Sequence, residues 1–162
     1  MFHLRNVLFA TDFSHYALYA LNYAVAIARQ EGGVVHVAHV LDANLYSSGS
    51  GLGVWLTNKD MEKLLDSMQE HAESRLTHLV STIQASGVAE AQHHILRGNA
   101  AAEICQHARQ LDVDVIVLAT HGRTGFDHVV FGSVAEKVVR QSQLPVLCVK
   151  HPEHEFIQGA DQ

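Results

Sequence analysis

A chain of 162 residues, 48% of them hydrophobic, is long enough to bury one core and is the size of one ordinary domain. A formal net charge of −6 and 11 scattered Lys and Arg leave no basic stripe for nucleic acid, and no apolar run approaches the roughly 20 residues that cross a bilayer as a helix. The opening Met1-Phe2-His3-Leu4-Arg5 has neither a signal-peptide core nor a myristoylation glycine, so the expected location is cytoplasmic, with no membrane partner.

Apolar runs alternate with amphipathic segments, the pattern of an α/β domain with a mainly parallel sheet. Val7 to Thr11 is the first predicted strand. Ser14 is placed to cap a helix running to about Gln30, whose Ala17, Leu21, Ala24, Val25 and Ala28 recur at helical spacing. Gly32-Gly33 stops it, and Val34 to Leu41 is the second strand. The stretch from Asp42 to Asn58 is rich in Gly and Ser and reads as a surface loop; its Gly49, Gly51 and Gly53 do not make a GxGxxG spacing, and a lid is one reading of it. Lys59 to Ala85 is a long helix with one apolar stripe, Met61, Leu64, Leu65, Met68, Ala72, Leu76, Leu79 and Ile83, all expected in the core. Gly87 ends it.

Glu90 to Leu96 is a polar third strand, expected at an edge, and Ala100 to Leu111 a third helix. Val113 to Ala119 is the central strand; a further helix runs from about Ser133 to Arg140, and Pro145 opens the fifth strand, where a missing N–H is tolerated. Residues 1–150 are expected to form one domain and 151–162 a loose tail. Cys105 and Cys148 lack CxxC spacing and are expected as free, buried thiols. Thirteen histidines invite a metal reading, yet His36 and His39, three apart in a strand, point to opposite faces, adjacent His93 and His94 diverge, and no zinc-ligand spacing exists. No metal site is expected.

The most informative stretch is the exit of the central strand, where Val115-Ile116-Val117-Leu118-Ala119 empties into Thr120-His121-Gly122-Arg123-Thr124-Gly125 and then Phe131-Gly132-Ser133. A glycine turn leading to Gly-Ser at a helix start exposes backbone N–H groups, which is where phosphate oxygens bind, so a nucleotide is the expected ligand. Nine residues separate Gly122 from Gly132-Ser133, and Gly122 stands three after Ala119. This resembles the nucleotide signature of the universal stress protein family, G-x2-G-x9-G-[S/T], with alanine in place of the first glycine. Val7-Leu8-Phe9-Ala10-Thr11-Asp12-Phe13-Ser14 and Pro145-Val146-Leu147-Cys148-Val149-Lys150 resemble that family's opening and closing strands.

The resemblance implies a single open, mainly parallel five-stranded sheet of order 3-2-1-4-5 with helices on both faces, and an adenine nucleotide (ATP, or AMP or ADP) as ligand, with Mg²⁺ bound through its phosphates. It implies that Asp12, after Ala10 and Thr11, meets the ribose, and that Val40 meets adenine; a helix N-terminal acid beside Ser14 and a plain core valine are the alternatives. Gly122, Gly132, Ser133 and Val134 would give N–H groups to the phosphates, although a structural turn with an N-cap uses the same Gly-Ser pair. Ala119, His121, Arg123, Thr124 and Gly98 complete the expected site, Arg123 as neutraliser of phosphate charge. A homodimer through the strand 145–150, built around Val146, Leu147 and Val149, is implied as well.

A stress-response or signalling module whose nucleotide state modulates association is therefore expected. A slow ATP-hydrolysing, phosphoryl- or adenylyl-transferring enzyme is the alternative, although Walker A and a legible catalytic base are missing. The others are a nucleotide-free interaction protein and, more weakly, a receiver domain, whose acceptor aspartate is absent from Ile95-Leu96-Arg97-Gly98.

Overall fold

The computed structural model describes residues 3–42, 58–121 and 131–151. Nine elements alternate along them: β1 Asn6–Ala10, α1 His15–Glu31, β2 Val34–Leu41, α2 Asn58–Ala85, β3 Glu90–Arg97, α3 Ala100–Gln110, β4 Val115–Ala119, α4 Ser133–Gln141 and β5 Val146–Val149. All four strand pairings are parallel, in the order β3-β2-β1-β4-β5. Helices cover both faces, as every parallel crossover requires.

β1, β2 and β4 are mainly apolar because each buries both faces. Val7, Phe9, Val35, Val37, Val115 and Val117 pack under α1 and α2, whereas Leu8, Ala10, Ala38, Ile116 and Leu118 pack under α3 and α4. Ala17, Ala20, Ala24 and Ala28 line the buried side of α1. Ser14 Oγ accepts the Ala17 N–H at 3.2 Å to cap that helix, and Gly32 closes it in the left-handed conformation at φ 61°. Gly33 then lies so close to the start of β1 that an added Cβ would sit 2.0 Å from the Arg5 carbonyl oxygen. Asp114 Oδ2 accepts the N–H groups of Arg5 and Asn6, both at 2.7 Å, which ties the entry of β1 to that of β4.

The long helix departs from expectation in its first half. Ala72, Leu76, Leu79 and Ile83 are buried, but Leu64 is exposed and Leu65 and Met68 are only half-buried. A 28-residue helix is about 42 Å long against about 26 Å for an eight-residue strand, so the stripe outruns the sheet it packs on. The side chain of Met61, the 43–57 loop and the tail from 152 lie outside the described residues. Both cysteines are free; Cys105 is buried and Cys148 half-buried, and burial raises the pKa of each thiol. No described helix is long and apolar enough to cross a membrane.

Candidate nucleotide site

In an open parallel sheet the ligand crevice lies beyond the carboxyl ends of the strands, where the strand order reverses. Here that point is between β1 and β4, which pair directly, Val7 with Val115 and Phe9 with Val117. Past β1, Thr11 continues the ladder through its N–H to Ala38 O at 2.9 Å, and its Oγ1 accepts the Phe13 N–H at 3.0 Å. Asp12 follows, half-buried, its Oδ1 accepting both the N–H and the hydroxyl of Ser14 at 3.0 and 2.6 Å.

Past β4, buried Thr120 donates its N–H to Val149 O at 2.9 Å, and its Oγ1 lies 3.0 Å from His121 Nδ1. The chain returns at Gly132, whose N–H donates to Thr120 O at 2.6 Å. The amino end of α4 is thereby held at the carboxyl edge of β4. Gly132 is the N-cap of that helix, and among the described residues no side chain caps it. The N–H groups of the first turn therefore point out with the positive end of the helix dipole.

The structure thus gathers Ala10, Thr11, Asp12, Ala119, His121, Gly132, Ser133 and Val134 around the ends of β1 and β4. Val40 and Ala10 pack toward α3 and α4. Gly98 follows β3 at φ 140°, its N–H on Leu41 O at 3.1 Å, and an added Cβ would lie 2.9 Å from Glu103 Oε1. It lies two strands from β1, about 10 Å away along the crest. Gly122, Arg123 and Thr124 fall outside the described residues. Ala119 packs toward the α1 face, opposite Val40, and its backbone is not in the left-handed region. The alanine in place of glycine therefore introduces neither backbone strain nor a methyl group on the Val40 side.

Three residues that sequence reasoning did not assemble border this crest. Phe13 holds φ 63°, a strained conformation for an aromatic residue, of order 1–3 kcal/mol. Its ring lies 4.4 Å from that of His39 and 4.2 Å from the Arg75 guanidinium, and Arg75 also donates to Phe13 O at 3.3 Å. His39 Nδ1 carries the proton that it donates to Thr11 O at 2.8 Å, a tautomer dictated by the carbonyl acceptor. Together they wall a cavity of about 250 Å³ that reaches Asp12 on one side and Met68 and His71 on the other. These contacts span 26 to 62 positions of sequence, and no local spacing announces them. Among the described residues no group of three or more His, Cys, Asp or Glu is placed to hold a metal ion.

An all-parallel sheet with helices on both faces and an uncapped helix end at its switch point defines a doubly wound α/β domain with a crevice suited to an anionic ligand. The model of the Universal stress protein family matches residues 3–150, and the chain belongs to that family. It is 29% identical over 151 residues to universal stress protein MJ0531 of Methanocaldococcus jannaschii, covering 93% of this chain and 85% of that one. The solved structure of MJ0577 from the same organism superposes with a TM-score of 0.81 at 27% identity, over 92% of this chain and 97% of the other. A universal stress protein from Archaeoglobus fulgidus, solved in complex with dAMP, matches with a TM-score of 0.60 at 28% identity, covering 93% of this chain and all of that one.

Proposed function

We propose that this protein is an adenine-nucleotide-binding module of stress response or signalling, whose nucleotide state modulates its association with partners. The observation that carries this reading is the uncapped amino end of α4, returned to the carboxyl edge of β4 by the Gly132–Thr120 hydrogen bond beside Asp12. Ser133 and Val134 N–H groups would meet the phosphates, together with Gly122 and Arg123 from the preceding loop. Asp12 would accept from a ribose hydroxyl, and Val40 would pack on the base. The dAMP held by the Archaeoglobus fulgidus relative supports an adenine nucleotide as the ligand class. Mg²⁺ would accompany ATP through the phosphates.

The same proposal includes a homodimer through β5 and a cytoplasmic location. β5 is an edge strand with one side of its backbone unpaired among the described residues. Val146, Leu147 and Cys148 are half-buried there, whereas Val149 is already buried in the protomer's own core, so the first three side chains are the ones a partner strand would cover. Calorimetric titration with ATP, ADP, AMP and dAMP, with and without Mg²⁺, tests the ligand assignment. Saturable binding to wild type that disappears in a folded Gly132→Val variant is expected; binding that survives this substitution would remove the site from α4. Light scattering at micromolar concentration tests the dimer, and a monomeric mass would refute it.

A further inference from the structure

On the α3 face of the sheet, away from the crest, three histidines from three elements meet. His36 of β2 and His94 of β3 lie on the same face with Nδ1 and Nε2 3.2 Å apart, and the His107 ring of α3 stands edge-on to His94 with centroids 4.5 Å apart. His36 is 8% exposed. His107 Nε2 is buried and is the single such side-chain nitrogen or oxygen without a hydrogen-bond partner among the described residues. Apolar Ala38, Ile104 and Ala108 belong to the core on this face, with Glu90 and Gln92 toward the start of β3.

A hydrogen bond between two imidazole nitrogens needs one N–H and one lone pair, so it is lost when both rings carry two protons. Few groups here can compensate a positive charge. Glu90, at the start of β3, favours a charged His36, but its carboxylate is shared with the Gln92 amide at 2.6 Å. His93 and Arg97 point to the other side of β3, where they bond to Glu73 and Gln69 of α2. The other charged residues of α3 are Glu103, beside Gly98, and exposed Arg109, whose charge acts on the Cys105 thiol. β2 and β3 are locked to each other over eight residue pairs, whereas α3 is an 11-residue helix held by side-chain packing. Of the three elements, the helix is the one free to yield.

We propose that His36, His94 and His107 form an acid-released latch, holding α3 on β2 and β3 while His36 and His94 are neutral and loosening it when they are charged. Burial, the largest cause, lowers the pKa of His36, with Glu90 opposing and His107 adding to the shift. Burial and then the neighbouring histidines His107, His36 and His93 push His94 down to about 4. Both values lie below the ordinary histidine value of about 6.5, so the loosened state binds more protons than the packed one. The latch is therefore fully closed above pH ~6.5 and weakens as the pH falls toward 4. Because Asn99, the N-cap of α3, directly follows Gly98, release of the helix would shift the outer wall of the crevice; that consequence alone rests on the proposed nucleotide site.

Hydrogen exchange on nucleotide-free protein at pH 7.5 and pH 5.0, corrected for intrinsic exchange, tests the latch with α1 as internal reference. Protection of α3 amides is expected to fall about tenfold or more relative to α1 at the lower pH. His94→Gln, which keeps a hydrogen-bonding partner for His36 but cannot take a charge, should remove most of that difference, whereas His107→Leu, which leaves His36 and His94 to titrate in an apolar setting, should keep it. Equal loss in α1 and α3, no loss in either, or an unchanged pH response in His94→Gln overturns the proposal. So does stoichiometric Zn²⁺ or Ni²⁺ binding at pH 7.5 that protects α3 in wild type and is lost in His94→Gln, which would make the cluster a metal site. A protein that binds no nucleotide at either pH while showing the α3 response would refute the proposed function and leave the latch standing.

Discussion

Helices α3 and α4 lie on the same face of the sheet and both start at its carboxyl edge, yet they finish their first turns differently. Asn99 caps α3, its side-chain oxygen accepting the Ala102 N–H at 3.2 Å, whereas Gly132 leaves α4 without a side-chain cap. Each carries one glutamate in the first turn, Glu103 and Glu136, so the cap and not the charge separates them. Gly132 sits at φ −67° and ψ 153°, an extended conformation open to any residue, and its glycine identity is not explained by backbone strain. A helix end that closes its own hydrogen bonds is complete as structure. One that leaves donors open, where a neighbouring strand also ends in an aspartate, is disposed toward an external acceptor.

Making α4 resemble α3 should have the largest effect. Gly132→Asp supplies a capping acceptor and a negative charge where phosphate would lie, so nucleotide binding should vanish in calorimetry while thermal stability stays equal or rises by a few tenths of a kcal/mol. Retained affinity would separate the helix end from the ligand. Asp12→Ala should weaken adenosine nucleotides by roughly 1.5–3 kcal/mol, or about 10- to 150-fold, the range for a hydrogen bond to a charged group. Asp12→Asn keeps an acceptor for Ser14, and near-wild-type affinity in that variant together with loss in Asp12→Ala would assign Asp12 to shaping the turn.

The converse test removes the cap of α3. Asn99→Ala should cost about 1 kcal/mol in denaturant unfolding and leave nucleotide affinity unchanged, because that end already satisfies itself. The smallest effect is expected at Ala119. Its side chain faces the α1 side, so Ala119→Gly should lower stability by about 0.5–1 kcal/mol through backbone entropy and move affinity by less than about twofold. A large gain in affinity would show that the methyl does meet the ligand.

Much of this architecture is written locally. β2 occupies Val34–Leu41 as its apolar run indicates, Ser14 and Gly32 bound α1, and the polar composition of β3 matches its place at the sheet edge. Such features follow from side-chain periodicity, capping and glycine stereochemistry, which act over a few residues. The strand order did not come from periodicity but from the resemblance of the first, fourth and fifth strands to a family, as did the proposed roles of Asp12 and Val40.

What the sequence by itself determined, then, is the series of elements and the face each residue takes: His36 and His39 on opposite sides of β2, His93 and His94 on opposite sides of β3. Which residues meet across elements was decided by the tertiary structure alone. His36 finds His94, 58 positions away, because β2 and β3 pair in one particular register, and a shift of one residue would turn His94 to the other face. Arg75 reaches Phe13 because α2 packs over β3 and β2, and the outward half of that helix's apolar stripe stays partly exposed because the sheet beneath it is shorter. Local sterics assign a side chain to a face; strand register and helix placement, set by packing over the whole core, assign it a neighbour.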